Sequence, residues 1–196
     1  NVTGWLRRGL VAGTADSGRF IMRGDMDDWP FRGNEGQLEA LIEVSGVDLD
    51  YVPAWPRATR MQGTARFLGS SMDVGGKVGS IGGVPVQTFT AHLEDFRQPV
   101  LELRYAADAD LTDMLGFIRQ SPLLDNVDLD LDQFAFTGAA RTTGFLKAPL
   151  KAGGEPLQID GRLLLDGNGF TERVSNVQLD GIAGVVGYDR DGVRGA

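Results

Sequence analysis

Residues 36–51 read Gly-Gln-Leu-Glu-Ala-Leu-Ile-Glu-Val-Ser-Gly-Val-Asp-Leu-Asp-Tyr. Leu38, Ala40, Ile42 and Val44 fall on one face, with Gln37, Glu39 and Glu43 on the other. A period of two residues is the signal of a half-buried strand. The run far exceeds the typical strand of about 5–6 residues. Two proline–aromatic clusters bracket it, Asp28-Trp29-Pro30-Phe31 and Tyr51-Val52-Pro53-Ala54-Trp55-Pro56. Proline fixes φ, lacks a backbone donor and pushes the preceding residue into an extended conformation. The prolines are therefore expected to end strands, and the aromatics to anchor the turns.

The same period recurs along the chain. Strands are predicted at 19–26, 37–51 and 59–68, with Met72 and Val74 extending the last. A short strand at 77–81 is predicted between turns at Gly75-Gly76 and Gly82-Gly83. Further strands follow at 84–94 and 99–106, where Leu101, Leu103 and Tyr105 oppose Glu102 and Arg104. Val127 to Asp132 alternates, and the apolar phase then shifts at Phe134 and Phe136, which predicts a bulge near Gln133. Two later runs alternate as Leu157, Ile159, Leu163, Leu165 and as Val174, Val177, Leu179, Ile182. The 28 glycines stand singly or in pairs between these runs, as turn and bulge residues do. Residues 5–12 are compatible with a short helix. One segment is clearly helical, within about 108–121: Leu111, Met114, Leu115 and Ile118 form one face. Asp110 caps its start and Ser121-Pro122 stops it. The whole of 1–196 reads as a single mainly-β unit with one or two short helices, a slice of a longer chain.

Composition removes several function classes. The net charge of −8, with no stripe of Lys and Arg, argues against nucleic acid. The chain has no cysteine, which rules out disulfides, thiolate catalysis and cysteine metal sites. No apolar run approaches the roughly 18 residues of a spanning helix. The one histidine, His92, lies on an alternating strand as a polar-face residue, and no nucleophile elbow accompanies it. Asp128, Asp130 and Asp132 suggest a calcium loop, but Gln133 and Ala139 occupy the positions that need Gly and Glu. Gly75-Gly76-Lys77-Val78-Gly79 lacks the Gly-Lys-Ser/Thr ending of a phosphate loop. No pair of carboxylates stands out for glycosidic cleavage. The chain is expected to be no enzyme, with no metal site and no cofactor.

A combination of residues over 5–56 resembles the YhdP family within the AsmA-like superfamily of bacterial envelope proteins. It comprises Trp5-Leu6-Arg7-Arg8-Gly9-Leu10-Val11-Ala12-Gly13, then Phe20 to Met26, Trp29-Pro30-Phe31, and Tyr51 to Pro56. Ser121-Pro122-Leu123 after the helix adds to it. The resemblance implies a strongly curved antiparallel sheet forming an AsmA-like groove. It further implies a long periplasmic protein anchored by an inner-membrane helix, carrying phospholipid between the two membranes, with neighbouring segments of the same chain as partners.

The apolar faces of the predicted strands must meet something. Read from the residues alone, they close on one another as an ordinary two-layer core. The resemblance implies instead an open trough that holds acyl chains, lined by Leu38, Ile42, Phe67, Phe89, Leu93, Leu101 and Leu103. The alternative is a structural or assembly module with a closed core that binds protein partners by strand addition at its sheet edges.

Overall fold

The computed structural model describes residues 7–25, 27, 36–52, 54–122, 131–150 and 156–195. Among the described residues, eleven strands form one antiparallel sheet that does not close on itself. They are β1 Leu10–Arg23, β2 Gln37–Leu49, β3 Ala58–Leu68, β4 Ser71–Ile81, β5 Val84–Leu93, β6 Val100–Asp110, β7 Phe134–Thr137, β8 Ala139–Pro149, β9 Gln158–Glu172, β10 Val177–Asp189 and β11 Gly192–Gly195. The order follows the sequence from β1 to β6, continues through β8 to β11, and leaves β7 beside β9. An α-helix, α1 (Leu111–Arg119), follows β6 directly. The fold is thus the mainly-β, curved antiparallel sheet that the periodicity and the resemblance predict.

Curvature has local causes. Register shifts interrupt the pairings β1–β2, β2–β3, β4–β5, β5–β6 and β9–β10. Each extra residue bends its strand and raises the local twist. Asn168 anchors the irregularity in β9. It is 1% exposed. Its Nδ2 donates to the carbonyls of Thr137 and Ala139, and its Oδ1 accepts from the Asp166 N–H. One side chain therefore stitches β9 to the end of β7 and the start of β8.

Several predicted boundaries move. β1 begins at Leu10, so the expected helix over 5–12 stops before it: of the described residues in that range, 7–9 are helical and 10–12 are strand. Gly75-Gly76 is no turn: β4 runs straight through it. A Cβ on Gly76 would meet the Gln62 carbonyl oxygen, and the Gly63 Cα at 2.8 Å, so these glycines serve close backbone approach. The tight turn is Gly82-Gly83, with φ of 58° and 98°, a conformation open to glycine at little cost. The shift of phase before Phe134 comes from a 3-10 turn, Leu131–Gln133, rather than a bulge. The Trp29 cluster and Val127 to Asp130 lie outside the described residues.

α1 is built as its sequence indicates. Asp110 accepts from the Thr112 N–H at 3.0 Å and caps the first turn. The Thr112 hydroxyl donates to the Phe136 carbonyl, and the Leu111 N–H to the Gly138 carbonyl, which tie the helix to β7. Met114 and Phe117 pack against a core of Ala58, Val78, Val84, Val86, Phe89 and Ala107. The second proline–aromatic cluster closes over the same place: Trp55 lies 5.9 Å from Phe117 and 6.4 Å from Tyr51, ring to ring. Burial pushes the Tyr51 hydroxyl up to about 12.

Candidate functional site

In an antiparallel sheet, directly opposed residues share a face. Following partners from strand to strand therefore assigns each side chain to one of two surfaces. One row runs Gly18, Ile42, Ala65, Val74, Ala91, Leu103, Leu146, Ile159, from β1 to β9. A second runs Phe20, Ala40, Phe67, Met72, Leu93, Leu101, Ala148, and Leu38 stands beside it opposite Met22. Both rows are apolar throughout. The residues between them form the opposite face, with the row Leu41, Arg66, Asp73, His92, Glu102, Lys147, Gln158. The sheet is therefore two-sided in chemistry across most of its width.

Leu38, Ile42, Phe67, Phe89, Leu93, Leu101 and Leu103 all stand on the apolar face. Their exposure differs. Leu93 is 1% exposed and Phe89 9%. Phe89 belongs to the core beneath α1. Near Leu93 the chain after β5 brings Phe96 onto Phe67, with ring centroids 6.3 Å apart. The other five are half-buried. Towards the β1 edge the face opens further, where Phe20 is 63% exposed and Met22 41%. Central strands are thus roofed near both ends, and the flank stays uncovered.

A third row carries a polar group onto this face. It runs Phe89, Tyr105, Gly144, Gly161, Tyr188 from β5 to β10. Tyr105 and Tyr188 lie three strand steps apart, about 14 Å in a flat sheet. Their hydroxyls nonetheless meet at 2.7 Å, and Thr142 Oγ1 is 2.7 Å from the Tyr188 hydroxyl. The rings lie down over the two glycines: a Cβ on Gly144 would meet the Tyr105 hydroxyl at 2.5 Å, and one on Gly161 would strike the Tyr188 ring. Burial, followed by the neighbouring Tyr188, pushes the Tyr105 hydroxyl well above the usual phenol range. Sequence reasoning found Tyr105 as an apolar-face residue but not this group. A glycine inside a strand signals close approach by another group, and Gly144 opposite Gly161 was the available sign.

The opposite face holds the chain's histidine. His92 Nδ1 lies 2.7 Å from Asp73 and Nε2 3.0 Å from Glu94. The hydrogen bond to Asp73, then that to Glu94, raises its pKa. The two carboxylates occupy opposite sides of the ring and do not converge on a common point. Among the described residues no group of three or more His, Asp or Glu could hold a metal ion. No described helix is long and apolar enough to cross a membrane.

The model of the family described as YhdP protein matches residues 1–196. Among curated proteins, the chain is similar to the intermembrane phospholipid transporter YhdP of Escherichia coli (strain K12). The two are 23% identical over 184 residues, which is 92% of this chain and 14% of that protein. The chain thus spans about one seventh of that relative's length. No solved structure matches.

Proposed function

The chain belongs to the YhdP family, and on that premise we propose that it is a non-enzymatic segment of a lipid-transfer bridge. Its apolar face shields phospholipid acyl chains while the headgroups stay in water. The bridge lies in the periplasm between the inner and outer membranes, within a longer protein anchored to the inner membrane. Neighbouring segments of that protein continue the sheet at its edges; β1, exposed along its full length, offers one such edge. The observation that carries this reading is the unbroken apolar row from β1 to β9 with charged partners on the reverse face.

The transport step is passive. Each buried methylene is worth about 0.8 kcal/mol, so a face that replaces bilayer contacts along the whole chain offsets the cost of leaving the membrane. No group has to form or break a bond. Native mass spectrometry of the purified chain tests the reading: phospholipid adducts are expected. A folded chain that carries none, even after incubation with phospholipid vesicles, would contradict it.

One observation favours a second reading for part of the molecule. The core under α1 is closed, with Ala58 and Ala107 almost fully buried. A module closed in this way throughout would serve assembly, binding protein partners by strand addition at its edges. It would take up no lipid, so the same measurement separates the two.

A further inference from the structure

We propose that the hydroxyls of Tyr105, Thr142 and Tyr188 form a hydrogen-bond donor site on the apolar face that takes an ester carbonyl of an acyl lipid, an inference that rests on the lipid-carrying reading above. The argument is a count of protons. Each hydroxyl supplies one donor and can accept two bonds. The three are joined by two contacts, Tyr105 to Tyr188 and Thr142 to Tyr188. Each contact uses one proton, so two of the three are consumed. Whichever way the chain of hydroxyls runs, one O–H is left without an acceptor among the described residues. Among the described residues these hydroxyls make no other hydrogen bond.

Such a leftover donor is costly on an apolar surface unless something accepts from it. The neighbouring side chains do not: Leu103 and Leu146 flank the row on one side, and Leu163 and Val186 on the other, all on the same face. A lipid lying on this face brings one kind of neutral acceptor alongside its chains, the ester carbonyl oxygen. Its phosphate is a charged group whose removal from water is far more expensive, so it stays outside. Burial holds the Tyr105 hydroxyl well above the usual phenol range, so it keeps its proton at physiological pH. The site is also fixed in place. Both rings lie flat on Gly144 and Gly161, and this presents the hydroxyls above β8 and β9 rather than at a strand end.

The test compares a diacyl phosphatidylethanolamine with its dialkyl ether analogue, which has the same chains and headgroup and no carbonyl. The purified chain is incubated with vesicles containing both, and bound lipid is measured by native mass spectrometry. The ester lipid is expected to be preferred by about two- to tenfold, the value of one hydrogen bond. The variant Tyr105→Phe/Thr142→Val/Tyr188→Phe keeps the shapes, and should bind both lipids with no preference. Equal binding by the unaltered chain would overturn the donor site while leaving the lipid-carrying reading intact. Binding of neither lipid would overturn both. A preference that survives in the triple variant would place its origin elsewhere and overturn the proposal. Should that variant lose its cooperative melt, infrared spectra of carbonyl-13C lipid on the unaltered chain decide. A band shifted down as hydrogen bonding requires supports the site, and an unshifted band overturns it.

Discussion

Asn168 is a buried polar side chain that holds three backbone groups at the point where β7 and β8 both meet β9. Alanine there would leave those groups without their partner inside the sheet. Asn168→Ala is expected to lower stability by about 1–3 kcal/mol in denaturant unfolding; an unchanged midpoint would show that water replaces it freely. His92 makes a separate prediction about pH. Asp73 opposite, Glu94 two residues on, and Glu102 in the next strand are the titratable groups that face it, with Lys147 beyond Glu102. Asp73 first and Glu94 second favour the imidazolium and raise the folded-state pKa. The resulting stabilisation is fully present below the ordinary histidine value of about 6.5 and is lost as pH rises through the raised one. Thermal midpoints should therefore contain a component that falls with rising pH and is missing in His92→Gln. The effect is small because the ring is part-exposed and screened by solvent. Identical pH profiles for the two proteins would contradict it.

At the scale of elements, α1 and the Tyr51–Trp55 turn hold each other down. Trp55 packs on Phe117, and Phe117 on the core beneath. Both aromatics are half-buried, so Trp55→Ala or Phe117→Ala is expected to cost about 1–3 kcal/mol, less than the 3–5 of an enclosed site. Hydrogen exchange over 111–119 should quicken in either variant; unchanged exchange would mean that Leu111 and Met114 hold the helix alone. This helix was readable in the sequence because its period, its cap and its stop all agreed. β2, β3, β5 and β6 were readable because large apolar residues alternate with charged ones. β8 was not. Its apolar-face positions are Ala140, Thr142, Gly144, Leu146 and Ala148, four of them small. Gly144 is small because Tyr105 lies over it. A partner from another strand supplies the bulk, so the local pattern is silent. The Gly75-Gly76 turn failed for the mirror-image reason: close approach of two strands used glycines that a local reading assigns to a turn. That the seven residues expected to line a trough share one face was legible because each strand's alternation keeps its large apolar residues on one side. What periodicity could not say is which of them a helix or a loop would roof.

For the molecule as a whole, packing and the proposed lipid contact divide the same face between them. Leu93 is closed off and Ile42 is half-buried near the open flank. A carboxylate at Leu93 would have no water and no partner, and Leu93→Asp is expected to unfold the chain. Ile42→Asp is expected to fold, because solvent reaches it, and to lose bound phospholipid. Equal unfolding of both would support a core closed throughout. The most direct test of the central claim places a photo-crosslinking amino acid at single positions on the two faces and exposes the chain to labelled phospholipid. Ile42 and Leu163 stand on the apolar face, and their sequence neighbours Leu41 and Leu164 on the reverse. Lipid should crosslink from Ile42 and Leu163 and not from Leu41 or Leu164. Crosslinks from both faces alike, or none from the apolar face, would contradict the account.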